Sequence, residues 1–337
     1  MKQRRTSLKD LAGQLGVSIA TVSRALRNSH EVGDEMKKKV QALAHELNYR
    51  PNPFAQSLRK EAPHIIGVVV PNLVTHYYSA VLSGIEDYAR KRNYSVFCCN
   101  SNEKEELERG AIDNYVNMHV EGIIACLAQE TTDYSHFKEV HDMGIPLVFF
   151  ARTCLPEYFS SVVADGDAAA QKATAHLLNN GRKRIAFVGG PNHLDMVKRR
   201  KHGYLEALRE HRIPIDRSLV VCNKIDQEVA FNATRELLSR PDRPDAILAF
   251  NDIITYSVFL AIKSMGLRIP DDVALIGFSD SDRARFVTPT ISTIADKAYS
   301  QGQKACELLM RALNGDQKRY HEVVPMEMTL RESSGGK

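Results

Sequence analysis

Apolar positions in the first fifty residues recur with a helical period. Leu8, Leu11, Ala12 and Leu15 fall at i, i+3, i+4 and i+7, one face of a short helix. Ser7 precedes that face and Asp10 stands three residues after it, the spacing of a capping box. Gly16-Val17 breaks the run. Ser18 can then cap a second helix over Ile19–Leu26, with Val22 and Leu26 one turn apart. Residues 28–33 read as a loop. After it Asp34 can cap a third helix that turns Met36, Val40, Leu43, Ala44 and Leu47 inward. Two short helices joined by a Gly-containing turn and followed by a third predict a helix-turn-helix. Pro51 interrupts the pattern. Asn52 can cap one more helix over residues 54–59, with Pro53 at its first position. Such a helix has fewer than two turns and is too short to be stable alone in water.

From Ile65 the rhythm changes. Residues 65–70 form an apolar run of strand length, and Val81, Leu82, Ile85, Tyr88 and Ala89 give a helix face. Further strands are predicted near 95–98, 122–126 and 146–150. A second series opens at 184–188, with strands near 246–250 and 273–277 and helices over 196–211, 228–239 and 252–265. Alternation of strand and helix implies parallel sheets covered on both faces. The two series open alike, Ile65-Ile66-Gly67-Val68-Val69 and Arg184-Ile185-Ala186-Phe187-Val188. Two similar lobes imply a cleft, and open α/β sheets bind ligands at the carboxyl ends of their strands.

Composition narrows the class. With 337 residues, 43% apolar and 26% charged, the chain has material for two or three packed domains and is neither disordered nor fibrous. Its longest apolar runs are far shorter than the ~20 residues of a membrane span. The basic N-terminus is not followed by an apolar segment, so it does not read as a signal peptide. Six cysteines without a Cys-x-x-Cys pair read as reduced thiols of a cytoplasmic protein. Charge is uneven. Residues 1–60 carry 12 Lys+Arg against 5 Asp+Glu, and the remainder 33 against 36. A basic head on a slightly acidic body suggests that the head alone meets a polyanion. The second helix fits that role, because Ser18, Ile19, Ala20, Thr21, Ser23 and Arg24 on its outer side include no carboxylate. Enzyme motifs are missing: there is no His-Glu-x-x-His, Gly-x-Ser-x-Gly, P-loop or Gly-x-Gly-x-x-Gly. Gly189-Gly190-Pro191 reads as a tight turn. The twelve His show no metal-ligand spacing, so no metal and no cofactor are expected.

Leu8-Lys9-Asp10-Leu11-Ala12, Gly16-Val17-Ser18, Thr21-Val22-Ser23-Arg24 and Leu47-Asn48-Tyr49-Arg50-Pro51-Asn52 carry a specific resemblance. They are similar to the signature of the lactose-repressor (LacI/GalR) family of bacterial transcription regulators, and the likeness extends over nearly the whole chain. It implies an all-α helix-turn-helix head over residues 1–48 and a hinge helix and linker over 49–62. A two-lobed, periplasmic-binding-protein-like parallel α/β domain would follow over 63–337. The expected N-lobe is 63–161 with 291–320, and the C-lobe 162–290 with 321–332, so the chain crosses near 162, 291 and 320.

The resemblance also implies partners and site residues. The partners are a palindromic double-stranded DNA operator, a second copy of the chain and a small carbohydrate-like effector. Ile19, Ala20 and Arg24 would stand nearest the bases, and Lys9, Thr21 and Ser23 nearer the phosphates, with Ser18 beside them. In the hinge, Asn52 would start the helix, Ala55 and Leu58 fit its pattern, and Leu58 would wedge a base step with Arg59 nearby. On the effector side it points to Tyr77 and Tyr78, to Asp165 after the first crossing, to Arg200 as a ligand clamp and to Asn251. Tyr77 and Tyr78 fit equally well as packing at a helix start.

Two departures from the family pattern stand out. Gly277-Phe278 is followed by Ser279, with Asp280 one residue late, and Ala151-Arg152 stands where an Asp is usual. Arg152 and Arg200 together would suit a sugar acid, a sugar phosphate or a larger glycan, unless Arg152 points to solvent. Some relatives carry a leucine-repeat tail that makes tetramers. The last residues here show no heptad, which predicts a dimer. The rival readings are an exported solute-binding protein and a sugar-processing enzyme, each without a DNA role.

Overall fold

The computed structural model describes residues 6–47, 49 and 64–335. The chain divides into two units, a head up to Pro63 and a body from His64.

The head holds α1 (Leu8–Leu15), α2 (Ile19–Leu26) and α3 (Asp34–Glu46). The predicted capping box forms. The Ser7 N–H and Oγ donate to Asp10 Oδ2 at 2.8 and 2.7 Å, and the Asp10 N–H donates to Ser7 Oγ at 3.3 Å. Gly16, at φ 64°, ends α1 in the left-handed region that costs glycine least. Ser18 Oγ caps α2 by accepting from the Thr21 N–H at 3.0 Å. One expectation is corrected: α3 is capped by the backbone of Gly33 with no side-chain bond, and Asp34 is its first residue. There its carboxylate meets the positive end of the helix dipole without serving as the cap. Leu11, Val22, Ala25 and Val40 are fully buried at the centre of the three helices. Burying an aliphatic side chain of that size stabilises by roughly 1.5–3 kcal/mol, which is how helices this short persist.

The body begins with β1 (Ile65–Val70), α4 (His76–Arg90), β2 (Ser95–Asn100), α5 (Glu105–Asn117) and β3 (Gly122–Ala125). α6 (Ser135–Asp142), β4 (Leu147–Phe150) and β5 (Ser160–Ala164) complete the first series. The second runs α7 (Gly166–Asn179), β6 (Ile185–Gly189), α8 (Asp195–Glu210), β7 (Val220–Cys222) and α9 (Gln227–Leu238). It continues with β8 (Ala246–Ala249), α10 (Asp252–Ser264), β9 (Ala274–Phe278), α11 (Arg283–Phe286) and β10 (Ser292–Ala295). α12 (Ala298–Leu313), β11 (His321–Val324) and β12 (Glu327–Thr329) follow.

Among the described residues the strands form two six-stranded sheets, ordered β11-β5-β4-β3-β1-β2 and β12-β10-β9-β8-β6-β7. Pairing is parallel except between β10 and β12. β1 is buried along its whole length, which explains its unbroken apolar run.

Strand pairing places the crossings a few residues later than the sequence suggested. β5 stays in the first sheet through Ala164 and β10 in the second through Ala295, while β11 returns to the first through Val324. The chain therefore crosses after 164, 295 and 324 rather than near 162, 291 and 320. Each strand completes its pairing before the chain leaves its lobe, and apolar pattern alone does not show which sheet a strand joins. Within the first lobe α4 lies directly on α12. A Cβ at Gly84 would collide with the Tyr299 carbonyl, and one at Gly302 with the Val81 carbonyl. Among the described residues no helix is long and apolar enough to cross a membrane.

Candidate functional site

Two surfaces hold the expected functional residues, one in each unit. In the head, α2 buries Val22 and Ala25 and turns Ile19, Ala20 and Arg24 outward; Ile19 is 39% exposed despite being aliphatic. Ser18 and Thr21 are spent locally, since their hydroxyls share a 2.8 Å hydrogen bond at the cap. Ser23 accepts from Arg27, whose Nε reaches the Ser23 carbonyl and whose Nη2 reaches Oγ, both at 3.3 Å. Lys9 is exposed on α1. No residue of α2 itself is acidic, but the loop after it brings a carboxylate to that face: Glu31 Oε2 lies 3.0 Å from Arg24 Nε. Asn52, Ala55, Leu58 and Arg59 lie outside the described residues.

In the body, a cavity is lined from both lobes. The first lobe supplies Asn72, Thr75, Tyr77, Tyr78, Glu103 and Arg152; the second supplies Met196, Arg200, Ile225, Phe250, Asn251 and Ser279, with Asp252, Ile253 and Asp296. Nearly all sit just past the carboxyl end of a strand or at the helix start that follows, where the two sheets open toward each other.

Arg152 faces this cavity rather than solvent and is 3% exposed. Its Nη1 and Nη2 donate to Glu103 Oε2 and Oε1 at 2.6 and 3.0 Å, and Nη1 also reaches the Leu127 carbonyl at 3.0 Å. Burial opposes its charge, but Tyr78 and Glu103 outweigh that and hold the guanidinium above its ordinary range. Glu103 sits at φ 63°, a strained conformation for this residue type. Its Oε2 also accepts from the Gln129 N–H at 2.7 Å. Gln129 then spans the lobes. Its Oε1 accepts from the Ile225 N–H at 2.9 Å, and its carbonyl lies 2.7 Å from His193 Nε2.

Arg200 is also buried, at 1% exposure, but is held differently. Its Nη1 donates to the Phe250 carbonyl, and its guanidinium stacks 3.9 Å from the Phe278 ring centre and 4.9 Å from that of Phe250. Its Nε has no partner among the described residues. Burial pulls its pKa down to about 10, against the attraction of Asp296. Asp296 in turn is pushed up to about 6 by burial, although Arg200 and the Ser279 hydroxyl, donating at 3.0 Å, favour its charge. The Asp296 carbonyl accepts from Gln301 Nε2, and Gln301 Oε1 accepts from the Tyr77 hydroxyl at 3.1 Å. Tyr77 and Tyr78 pack edge to face at 5.1 Å, and burial holds both phenols well above their usual range.

Six expected effector residues therefore come together: Tyr77, Tyr78, Arg152, Arg200, Asn251 and Ser279. Asn251 also caps α10, accepting from the Ile254 N–H at 3.0 Å. Two do not join them. Asp165 caps α7 through the Ala168 N–H at 3.3 Å, and Asp280 is bound by Thr293 Oγ1 at 2.6 Å and Arg331 Nη2 at 2.7 Å. The expected cationic pocket is corrected as well, because Glu103, Asp252 and Asp296 offset the two arginines. No cluster of metal-ligating side chains occurs among the described residues.

Comparison with known proteins follows the same division. Residues 7–52 match the family described as bacterial regulatory proteins, lacI family, and residues 174–334 match the periplasmic binding protein-like domain. The chain is 30% identical over 334 residues to the ribose operon repressor of Halalkalibacterium halodurans, covering 98% of each. Its fold is similar to that of a lac repressor dimer bound to operator and the anti-inducer ONPF, with a TM-score of 0.84 and 24% identity over 98% of this chain and 99% of that one. It is similar too to a complex of the transcriptional regulator CelR with cellobiose, with a TM-score of 0.75 and 24% identity over 98% and 100% of the two chains.

Proposed function

The chain belongs to the lacI family of bacterial regulatory proteins, DNA-binding transcription regulators and not enzymes, and from that premise we propose that it represses genes of carbohydrate metabolism in response to a sugar held in its cleft. It acts in the cytoplasm as a homodimer joined through the two-lobed domains. Each head lays α2 in a major groove of a palindromic operator, with Ile19, Ala20 and Arg24 toward the bases and Lys9 toward phosphate. The residues 52–59 enter the minor groove at the centre of the site. Effector changes the angle between the lobes and so the population of the DNA-binding arrangement.

The observation that carries the effector side is Arg200, a buried guanidinium at the cavity whose Nε is unpartnered among the described residues, as Arg152 Nε is, but which unlike Arg152 has no carboxylate hydrogen-bonded to it. A sugar oxygen would satisfy that donor. Asp296 and Asn251 offer acceptors for sugar hydroxyls, and Tyr77, Tyr78 and Phe250 offer apolar faces for its C–H side. The carboxylates around the cavity favour neutral sugars over sugar acids and sugar phosphates. The cellobiose complex of CelR and the ribose operon repressor, proteins similar to this chain, are named for sugars.

The test is a thermal-shift screen of the full chain against monosaccharides, disaccharides, sugar acids and sugar phosphates, followed by operator binding with each hit. A ligand that binds only the folded state raises its melting temperature. The expected result is a stabilising sugar that also changes operator affinity. Stabilisation with no change in DNA affinity would overturn the regulatory reading, and stabilisation by phosphates or acids alone would overturn the preference for neutral sugars.

A further inference from the structure

Arg24 reaches the outer face of α2 already engaged. Its Nε lies 3.0 Å from Glu31 Oε2, and both side chains are half exposed. Glu31 is not on the same helix. It stands in the loop after α2, and that loop is fixed at three points. Asn28 turns through a positive φ of 57°, the Ser29 N–H donates to the Arg24 carbonyl at 3.1 Å, and Val32 is buried in the head core at 8% exposure. The Glu31 N–H donates to Ser29 Oγ at 3.3 Å. The carboxylate is therefore carried by an anchored segment to the Nε edge of Arg24.

We propose that Glu31 is the positioning residue that makes Arg24 a reader of guanine instead of a phosphate clamp. The inference rests on the reading that α2 lies in the major groove. A guanidinium addresses the guanine O6 and N7 either through Nη1 and Nη2 or through Nε and one Nη. With Nε beside the Glu31 carboxylate, the Nη1–Nη2 edge is the one left for guanine. The carboxylate also repels phosphate, so it penalises backbone contacts that any DNA sequence can offer. Both effects raise the ratio of specific to non-specific binding. An exposed ion pair contributes little to fold stability, so Glu31 can be replaced without unfolding the head.

The experiment uses the full chain. The parent selects its palindromic site from a random duplex pool, and affinities for every single-base variant of that site are then measured for the parent, Glu31→Ala, Glu31→Gln, Arg24→Lys and Arg24→Ala. A bidentate arginine–guanine contact discriminates by roughly five-fold to a hundred-fold, so one base pair per half-site should show that preference in the parent. Glu31→Ala should reduce it about threefold or more and raise affinity for scrambled DNA about threefold, with a salt slope steeper by about one. Glu31→Gln keeps an acceptor for Nε but not the charge. It should retain most of the guanine preference while still gaining affinity for scrambled DNA. In an Arg24→Lys background, Glu31→Ala should leave the base preference where it was, because lysine has no Nε to orient. An unchanged preference in Glu31→Ala, or an equal loss on every sequence, overturns the role of Glu31. If instead Arg24→Ala leaves the whole base profile unchanged, it is the groove placement of α2 that fails.

Discussion

The two walls of the cleft each bury an arginine, and they treat it in opposite ways. On the first wall, Arg152 is matched fork to fork by Glu103, and the pair continues through Gln129 toward the second lobe. On the second, Arg200 has a carbonyl, two aromatic faces and an Nε without a partner among the described residues. Burial works against both charges, yet Arg152 is held above its ordinary range and Arg200 falls to about 10. Both guanidinia keep an Nε without a partner among the described residues, so the difference lies in the counter-charge, and a buried guanidinium gripped by a bidentate carboxylate belongs to the scaffold. One that has only a carbonyl and aromatic faces around it is maintained at a cost in stability, and the gain appears when something arrives to pair with it.

Breaking the pair on the first wall gives the largest expected effect. Glu103→Ala leaves Arg152 buried without its counter-charge and should destabilise the body by about 3–5 kcal/mol, read as a drop in the denaturant midpoint. A loss under about 1 kcal/mol would erase the distinction between the walls. Arg200→Met keeps the stem volume and removes the charge. It should not lower unliganded stability, should leave operator affinity nearly unchanged and should weaken the effector by roughly 1.5–3 kcal/mol, measured by calorimetry. Unchanged effector affinity would show that the second wall, too, is only scaffold.

Asp296 sharpens the comparison with pH. Its folded pKa is raised to about 6 from an ordinary 3.8, so the folded state prefers its neutral form. The stability this group contributes is complete below pH ~4 and is lost as pH rises through about 6. Asp296→Asn should therefore stabilise the unliganded protein by about 1–3 kcal/mol at pH 8 and by almost nothing at pH 4. The check is a pair of unfolding curves at the two pH values, and a gain that does not depend on pH would contradict the account.

Local periodicity was enough for the three helices of the head and for the alternation of the body, because each element buries a continuous apolar face. The same holds for the cleft residues at the carboxyl ends of strands, such as Arg200, Asn251 and Tyr77, whose positions follow from the resemblance and the topology. Carboxylates were harder. Asp165 and Asp280 look in sequence like acceptors for a ligand, yet one caps a helix and the other binds Arg331. Glu103 and Asp296, which do face the cavity, are delivered by a positive-φ turn and by a lobe crossing, neither of which leaves a periodic trace. With no strand expected before 296 and the crossing placed near 291 instead of after 295, nothing in the pattern marked Asp296 as a strand-end residue. Glu31 was missed for a related reason, since the pattern on a helix face says nothing of what a following loop folds over it.

The three lobe crossings also set the order in which a growing chain can finish. The first sheet lacks its edge strand β11 until residue 324 has been made, and the second lacks β12 until residue 329. Throughout synthesis of residues 165–320, β5 presents an uncovered strand edge to the cell, the kind of edge that recruits other chains. Both lobes are then completed within a few residues of each other. A premature stop near residue 315 would consequently deprive both lobes of a strand at once, and neither lobe can be produced alone by cutting the gene at a single point.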